Sequence, residues 1–343
     1  MSTATLENFG SAASSDSARH ARVLISILNW NGADKTLKCL KSMQQELAST
    51  PADVTVLVID NGSRAEDVAA LKSGIESEDV VLKCLPKNLG FTGGHNMAIE
   101  MAIREGYDFI WVLNNDATVA PHTLASLLAT IQANARCGAV SPVLRNTDDG
   151  EIARCVNTYD WKKRTCKHIL SIEEAKRFQA EHPEAVWVDG TALLFRVEAL
   201  KDVGPLDDRL FAYYDDNDIC ARLARKQWHS QCAFDATVFH ETKKRIEDFP
   251  LYLSYLLQRN EMLFWHKNTP LDYRKLLSLR MIDRALFDAN KLYKNGFAAN
   301  ADAALLGLHD YLKGRFGPPN HQRKVPLVLR LACKMSSLAY AWK

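Results

Sequence analysis

The sequence has no apolar run near the ~18 to 20 residues that a membrane-spanning helix needs, which argues against an integral membrane protein. It also lacks an apolar segment close to its start, so residues 1–20 predict a disordered tail and not a secretory signal. The biases of collagen-like, low-complexity and disordered chains are missing too, because 47% of the 343 residues are hydrophobic and 24% are charged. The sequence therefore predicts a globular chain of about two domains, or of one large domain with an appendage.

Closely spaced cysteines are also missing. No two of the eight cysteines are nearer than 11 positions, so the chain has no C-x-x-C pair for a metal or a redox centre. Several cysteines fall inside apolar patterns, where a free thiol behaves as a small hydrophobic side chain. We therefore expect reduced, buried thiols and a cytoplasmic protein.

Charge is distributed unevenly along the chain. The formal net charge is +2, but residues 243–343 carry 18 Lys and Arg against 8 Asp and Glu, and the other 242 residues carry 25 against 33. This asymmetry predicts two surfaces with different partners. The basic residues are scattered and are not interleaved with aromatic residues, so we expect no nucleic-acid partner.

Apolar β-branched runs alternate with helical patterns through the first half of the chain, which predicts a doubly wound, mostly parallel α/β sheet. The predicted strands are 22–28, 54–59, 80–85, 108–113 and 137–144. The predicted helices are 33–47, 66–75, 95–104 and one that opens at Pro121.

The second half of the chain interrupts this rhythm and then becomes helical. Residues 145–184 predict an excursion with a helix near 172–180, followed by a strand over 186–196, a helix over 216–226 and a strand over 232–240. Helices follow Pro250, and we expect a catalytic domain at 21–267 and a basic helical region at 268–343. The amphipathic tail, 325–343, is expected to pack against the body, and lying on an anionic membrane is the alternative.

Polar segments follow four successive predicted strands. They are NWNG from Asn29, DNGS from Asp60, NLGFTGGHN from Asn88 and NND from Asn114. Turn formation explains any one of them. Because ligands bind at the carboxyl ends of the strands in open parallel sheets, four in succession predict a polar ligand site.

The glycines near these strand ends exclude two nucleotide-binding motifs, since they spell neither G-x-G-x-x-G nor G-x-x-x-x-G-K-[ST]. Gly93 and Gly94 precede a predicted helix, whose free amides suit a phosphate. Asp116 ends a buried strand with a carboxylate that suits a divalent cation bound to a diphosphate. Alone, such an aspartate is more often a turn or helix-entry residue.

A second polar constellation, YYDDND, starts at Tyr213 and runs into a predicted helix. Acidic residues at a helix start are favoured by the helix dipole, so part of this cluster is ordinary capping. A carboxylate among other carboxylates has a raised proton affinity and suits a general base. His240 ends a further strand, where a structural role is the common one and metal binding the alternative.

Together these segments resemble the family 2 glycosyltransferases, especially bacterial rhamnosyltransferase-like members. The matching segments are VLISILNWNG, VLVIDNGS, NLGFTGGHN, FIWVLNNDATV, VDGTALLFRVEAL, VGPLDDRLFAYYDDNDICARL and QRN. They run from about Val23 to Asn260. The resemblance implies a glycosyltransferase A-type fold, in which helices flank a Rossmann-like, mostly parallel sheet, and sugar transfer with inversion from a nucleotide-activated donor.

The resemblance also implies roles for individual residues. Asp216 corresponds to the catalytic base and Asp215 to its neighbour facing the acceptor, while Asp116 and His240 correspond to ligands of Mg²⁺ or Mn²⁺. The implied donor-binding residues are Asn29, Asn31, Asp60, Asn61, Ser63, Gly93, Asn96, Asn114, Asn115 and two cations near the leaving diphosphate, Lys243 and Arg245. Asn114 stands where the family has the first Asp of Asp-x-Asp, which leaves one carboxylate fewer for the metal.

By similarity, we expect dTDP-rhamnose as the donor, with a UDP-sugar as the second choice. The expected acceptor is a glycan or a polyprenyl-linked glycan in cell-surface polysaccharide synthesis, and the expected location is the cytoplasm or the inner face of the membrane. Residues 145–184 and those after Lys267 are the expected acceptor determinants. The alternatives are a non-catalytic glycan-binding or assembly partner and a sugar-nucleotide pyrophosphorylase, whose basic glycine-rich loop is missing after the first strand.

Overall fold

The computed structural model describes residues 20–241 and 249–336, and all structural statements concern these two ranges. The predicted cations Lys243 and Arg245 lie outside the described residues. So do all but the last residue of the predicted N-terminal tail and the end of the amphipathic tail, 337–343.

Strands and helices alternate through most of the described chain. The strands are β1 Ala21–Asn29, β2 Ala52–Asp60, β3 Val80–Cys84, β4 Phe109–Asn114, β5 Ala117–Val119, β6 Cys137–Asn146, β7 Ile152–Arg154, β8 Val156–Asp160, β9 Thr165–Ile169, β10 Val186–Trp187, β11 Ala192–Arg196 and β12 His229–His240. The helices are α1 Ala33–Ser49, α2 Ala65–Gly74, α3 Gly90–Arg104, α4 Thr123–Ala133, α5 Ile172–Glu181, α6 Val197–Val203, α7 Asp215–Arg225, α8 Leu251–Asn268, α9 Leu277–Lys294, α10 Ala298–Leu312 and α11 Leu327–Met335.

The main sheet has the strand order β3-β2-β1-β4-β11-β6-β12-β5, with β7 paired to β6. Strands β3, β2, β1, β4, β6 and β12 run in one direction, and β11, β5 and β7 run in the other. This confirms the predicted mostly parallel sheet. A smaller antiparallel sheet has the order β10-β8-β9.

The central strands are buried on both faces because helices cover both sides of the sheet. In β1, Leu24 packs into one apolar cluster, whereas Val23, Ile25 and Ile27 pack into the cluster on the opposite face. This two-sided burial explains why residues 23–28 form an apolar run that only Ser26 interrupts.

The register brings the polar strand ends together. Asn29 pairs with Asp60 on β2, and Leu28 pairs with Asn114 on β4. Because these strands are parallel, their carboxyl ends lie at the same edge of the sheet, where the sequence predicts a ligand site.

Several predicted elements need correction. The single strand predicted over 186–196 is two strands in different sheets, β10 and β11, separated by residues 188–191. The excursion over 145–184 holds β7, β8 and β9 besides its predicted helix, and the short elements β5 and α6 had no prediction. Helix α3 begins at Gly90 and not at His95, so all but the first two residues of the glycine-rich segment are helical.

The last four helices pack on one another and on the sheet domain. Phe264 and Trp265 of α8 join Ala221 of α7 in one apolar cluster, and Leu305 of α10 belongs to another. Within the described ranges, no helix is long and apolar enough to cross a membrane. Most of the cysteines are buried and all are free thiols, although Cys84 is exposed and was not expected to be.

Candidate active site

A buried amide holds the ends of β1 and β2 together. Asn29 is fully buried, and its Nδ2 donates to Oδ1 of Asp60 and to Oδ2 of Asp67, each at 2.9 Å. Its Oδ1 accepts from the hydroxyl of Thr36 at 2.8 Å. These contacts occupy the side chain, so Asn29 fixes the strand ends from inside the protein.

The exposed edge next to this amide is formed by Asn31 and Ser63. The N–H of Asn31 donates to Oγ of Ser63 at 2.8 Å, and Oδ1 of Asn31 accepts from the N–H of Arg64 at 2.9 Å. Asn31 has φ of 51°, a left-handed conformation that asparagine tolerates. The N–H of Ser63 in turn donates to Oδ2 of Asp60 at 3.1 Å, which ties the exposed edge to the buried carboxylate.

The glycine-rich segment is anchored by Asn61. Its Nδ2 donates to Oδ1 of Asn88 at 3.1 Å and to the carbonyl of Gly90 at 3.0 Å, and its Oδ1 accepts from Leu89 N–H at 2.9 Å. Gly90 has φ of +78°, and a Cβ there would overlap the carbonyl of Phe211. Only glycine therefore fits at this position.

Two other predicted donor contacts lie on α3. Asn96 is buried, and it binds Leu206 through both polar atoms at 2.9 Å and Oδ1 of Asp208 at 2.6 Å. Gly93, one turn earlier, is half-buried, and a Cβ added there would lie 2.9 Å from Cβ of Leu89. Asn96 thus holds the segment that leads to the YYDDND cluster, and its polar atoms are occupied within the protein.

Asp116 and His240 form a pair at the end of the sheet. His240 pairs in register with Ala117, and its Nε2 lies 3.1 Å from Oδ1 of Asp116. Burial raises the pKa of Asp116, but the hydrogen bond and charge of His240 and the charge of Lys35 outweigh it and leave that pKa below its usual value. Burial lowers the pKa of His240, but its bond to Asp116 leaves the pKa raised.

The other residues of the Asn-Asn-Asp segment surround this pair. Nδ2 of Asn114 lies 3.5 Å from Nε2 of His240. Asn115 turns toward α1 and donates to the hydroxyl of Thr36 at 3.0 Å. Nζ of Lys35, in the first turn of α1, lies 3.7 Å from Oδ2 of Asp116, so a cation already faces the carboxylate.

The Asp116–His240 pair fits a metal ion that is shared with a ligand. Within the two described ranges, no group of three His, Cys, Asp or Glu side chains could hold a metal by itself. Mg²⁺ is commonly held by one or two carboxylates, with phosphate oxygens and water completing the shell. The side chains of Asp116 and His240 are 30% and 19% exposed, so a diphosphate could reach an ion between them.

Asp216 is held by two backbone N–H groups. Gly190 donates to its Oδ2 at 3.1 Å, and Asn217 donates to its Oδ1 at 2.7 Å. Asp216 lies in the first turn of α7, where the helix dipole favours a negative charge. The carboxylate is half-buried, so its position is fixed while part of it stays accessible.

The neighbouring carboxylates give Asp216 a high proton affinity. Burial raises its pKa well above the usual value, and the charges of Asp215 and Asp189 raise it further. Burial, together with the charges of Asp189 and Asp218, raises the pKa of Asp215 to about 7. A carboxylate with this proton affinity can accept a proton from a hydroxyl group, which is the chemistry of a general base.

A short backbone path connects Asp216 to the Asp116–His240 pair. The N–H of Asn114 donates to the carbonyl of Thr191 at 2.9 Å, and the residue before Thr191 is Gly190, which binds Asp216. Asp189 caps the same turn by accepting from the hydroxyl of Thr191 at 2.6 Å. The two predicted centres therefore lie on either side of residues 189–191.

The turn that precedes Asp215 has an unusual backbone. Phe211, Tyr213 and Tyr214 all have positive φ, at 64°, 69° and 66°. Asn260 of α8 is fully buried, and its amide donates to three carbonyls of this turn. These are the carbonyls of Leu210 at 2.8 Å, Ala212 at 2.7 Å and Tyr213 at 3.0 Å.

Not every aspartate of the YYDDND cluster is available for chemistry. Asp218 is buried, and its carboxylate binds Nε of Arg222 at 2.9 Å and Nζ of Lys267 at 2.8 Å. These bonds attach α7 to α8. Asp218 therefore holds α7 in place and does not take part in the proposed chemistry.

Three residues at this site were not predicted from the sequence. Asp189 stands in the matching segment VDGTALLFR, where a charged residue breaks an apolar run, and that break was the available signal. Asn260 stands in the matching segment QRN, to which we assigned no role. Lys35 lies on an amphipathic helix, where nothing in the pattern separates it from other surface lysines.

The fold and the site define a glycosyltransferase of the A-type fold. The model of glycosyl transferase family 2 matches residues 24–204, more than half of the 343-residue chain, and the chain belongs to this family. A mannosyltransferase from Pyrobaculum calidifontis, solved with GDP-Man and Mn²⁺, covers 93% of this chain and 80% of its own. It aligns with a TM-score of 0.52 at 17% identity, which confirms the predicted fold.

Curated relatives include named transferases. The chain is 28% identical over 211 residues to the N-acetylglucosaminyl-diphospho-decaprenol L-rhamnosyltransferase of Mycobacterium tuberculosis, covering 56% of this chain and 68% of the relative. It is 22% identical over 210 residues to a low-salt glycan biosynthesis hexosyltransferase of Haloferax volcanii, covering 60% of this chain and 66% of the relative.

Proposed function

We propose that the protein is an inverting, metal-assisted glycosyltransferase in which Asp216 is the general base. The observation that carries this proposal is the position of Asp216. Both of its carboxylate oxygens accept backbone hydrogen bonds, from Gly190 and Asn217, and residues 189–191 connect it to the Asp116–His240 pair. A base and a diphosphate-binding pair on opposite sides of one short segment suit a direct displacement at a sugar carbon between them.

The proposed reaction is a single displacement. Asp216 takes the proton of the acceptor hydroxyl as the oxygen forms a bond to the anomeric carbon, and the bond from that carbon to the nucleoside diphosphate breaks. Attack from the face opposite the leaving group inverts the anomeric centre. A divalent cation, Mg²⁺ or Mn²⁺, held by Asp116 and His240 would neutralise charge on the diphosphate. Lys35 faces the same carboxylate and adds positive charge.

The relatives support a proposal for the donor and the acceptor. We propose dTDP-rhamnose as the donor, with a UDP-sugar as the second candidate, and a diphosphate-linked polyprenyl glycan as the acceptor. The name of the Mycobacterium tuberculosis relative, which specifies a rhamnosyltransferase and a diphospho-decaprenol acceptor, supports this choice. Asn31, Ser63 and the end of β2 are the proposed contacts of the nucleoside, and Lys243 and Arg245 the proposed contacts of the leaving diphosphate.

The C-terminal region, 268–343, is proposed to bring the enzyme to the inner face of an anionic membrane. Helix α11 is apolar on two faces: Cys333 is buried against the body, whereas Val328, Leu331 and Met335 are 71%, 51% and 80% exposed. Residues 313–343 contain 7 Lys and Arg and no Asp or Glu. An exposed apolar face within a basic segment is typical of a helix that lies on anionic lipid.

A panel of nucleotide-sugars tests the proposed function. We expect one donor, in the presence of Mn²⁺, to raise the melting temperature of the protein, because a ligand at 100 times its dissociation constant adds about 2.7 kcal/mol of stability. The donor that does so is then supplied with a polyprenyl-diphosphate glycan, and transfer is followed by release of the nucleoside diphosphate. A folded protein that responds to no donor, with or without Mn²⁺, would instead favour a non-catalytic glycan-binding or assembly partner.

A further inference from the structure

Arg164 is a buried cation whose side chain has no acceptor among the described residues. It lies in the turn between β8 and β9, with φ of 56°, and is only 6% exposed. Asp160, whose charge acts favourably on Arg164, makes its printed side-chain contacts with the neighbouring lysine instead: its Oδ1 accepts from Lys163 N–H at 2.8 Å, and its Oδ2 lies 3.7 Å from Lys163 Nζ. Partial desolvation of a guanidinium that has no protein acceptor costs free energy, and the nitrogens of Arg164 keep the solvent contact through which an anion can reach them.

Two further arginines increase this cost. Arg280 and Arg284 are four residues apart on α9, and Nη1 of Arg284 donates to the carbonyl of Arg164 at 2.9 Å. Burial and the charges of these two arginines lower the pKa of Arg164. Arg284 has a carboxylate partner in Asp288 at 3.6 Å, and the charge of Glu261 also acts on it. The buried positive charge without a carboxylate partner is therefore that of Arg164, and the charge of the exposed Arg280 acts on it.

This arginine cluster adjoins the catalytic carboxylates. Cys166, two residues after Arg164, and Tyr214, which directly precedes Asp215, pack in the same apolar cluster as residues of α9. The arginine cluster therefore flanks the proposed base on the side of the excursion and the C-terminal helices.

An aromatic wall, formed by Tyr159, Trp161 and Phe264, packs in the same apolar cluster as Ala221 of α7. The ring of Trp161 lies 4.7 Å from that of Tyr159 and 6.2 Å from that of Phe264. The hydroxyl of Tyr159 donates to the carbonyl of Asn217 at 2.9 Å, which fixes the wall to the first turn of α7.

We infer that Arg164 and Arg280, supported by Arg284, form a binding site for a phosphate group. Guanidinium groups bind phosphate oxygens in a bidentate manner, and such an anion would satisfy the donors that Arg164 leaves unpaired. The assignment of this phosphate to the acceptor rests on the proposed function, in which the acceptor carries a diphosphate. The anion site itself does not depend on that function.

Calorimetric titration with farnesyl diphosphate and with inorganic pyrophosphate tests this inference on the full chain. EDTA is present, so metal-dependent binding at Asp116 and His240 is suppressed. We expect the wild type to bind both anions, and Arg164→Met to weaken both by about tenfold or more, as the loss of charge-assisted hydrogen bonds predicts. Arg280→Met should weaken them less, and Lys163→Met, which alters the exposed cation of the same turn, should leave them unchanged.

The melting temperature without anions separates a ligand site from a structural role. Arg164→Met removes an unpaired buried charge, so the variant should melt at or above the temperature of the wild type. A variant that melts well below the wild type, or that binds both anions as the wild type does, overturns the inference. Tighter binding of farnesyl diphosphate than of pyrophosphate supports an acceptor site, and equal binding overturns that assignment. Anion binding without any sugar transfer would overturn the proposed function and leave the anion site standing.

Discussion

Gly190 donates its backbone N–H to Oδ2 of Asp216 at 3.1 Å, and this bond attaches the first turn of α7 to the main sheet. An added Cβ at position 190 would lie 3.1 Å from Cβ of Asp216, so only a residue without a side chain allows this approach without a shift. The turn that positions the proposed base thus leads into β11. Strand β11 pairs with β4, which ends at Asn114, the first residue of the Asn-Asn-Asp segment.

Asp116→Ala should remove the Mn²⁺-dependent part of donor binding. The substitution deletes the carboxylate that pairs with His240 at 3.1 Å and leaves the imidazole as the remaining member of the pair. Calorimetry with the responsive donor, with and without Mn²⁺, measures the effect. Asp53→Ala, which alters a largely exposed aspartate at the opposite end of β2, is the matched control. Unchanged donor affinity in Asp116→Ala would remove this residue from the site.

Asn260→Ala should lower kcat more than it changes the KM for the donor. The amide of Asn260 holds three carbonyls of the turn before Asp215, and its loss leaves buried acceptors unpaired, at a cost of about 2 kcal/mol in the free energy of unfolding. Gln258→Ala, two residues earlier on α8, is the control. A loss of stability with kcat unchanged would show that Asn260 supports the fold without positioning the base.

The pH dependence of stability should report the raised pKa of Asp215. In the folded state this pKa is about 7, against 3.8 as the reference value, so the folded state holds a proton that the unfolded state releases. The free energy of unfolding should therefore fall as pH rises from about 4 to about 7, by on the order of 1 to 3 kcal/mol. Asp215→Asn should flatten this slope, whereas Asp235→Asn, on an exposed part of β12, should retain it. An unchanged slope in Asp215→Asn would contradict the assignment.

The pH dependence of transfer should shift in the same variant. Asp216 must lose its proton before it can act as a base, so the rate should rise with pH through the apparent pKa of the carboxylate pair. Asp215→Asn removes one of the charges that raise the pKa of Asp216. The rising limb of kcat/KM should therefore move to lower pH, and a limb that stays in place would argue against coupling of the two groups.

Membrane binding by α11 should depend on its outward face. The wild type should co-sediment with vesicles that contain phosphatidylglycerol and not with pure phosphatidylcholine vesicles, and binding should weaken as salt increases. Leu331→Glu should abolish it. Leu170→Glu, which alters a 43% exposed leucine outside the C-terminal region, should not. Equal sedimentation of wild type and Leu331→Glu would show that α11 is not the membrane contact.

The sequence predicted the edge of the sheet at which the polar residues meet, because parallel strands place their carboxyl ends together. It could not predict which way each side chain turns. The side chains of Asn29 and Asn96 form internal hydrogen bonds, whereas Asn31 is exposed. The sequence pattern around a buried asparagine and around an exposed one is the same, so it does not distinguish them. The Asp116–His240 contact depends on the pairing of β12 with β5, a strand of three residues that is too short to show a period.

The excursion over 145–184 was the least predictable part of the chain. Its short strands β8 and β9 form a separate sheet with β10, so their burial depends on partners that are distant in the sequence. Arg164 stands in a turn there, and its burial arises from contact with α9, more than a hundred residues later. The local sequence pattern around Arg164 does not indicate contacts with residues so distant in the chain.

The anomeric configuration of the product, determined by NMR, tests the central claim most directly. Direct displacement with Asp216 as the base predicts a product whose anomeric centre is inverted relative to the donor. It also predicts that Asp216→Asn forms no product while binding the donor as the wild type does. Retention of configuration, or transfer by Asp216→Asn at the rate of the wild type, would contradict the account.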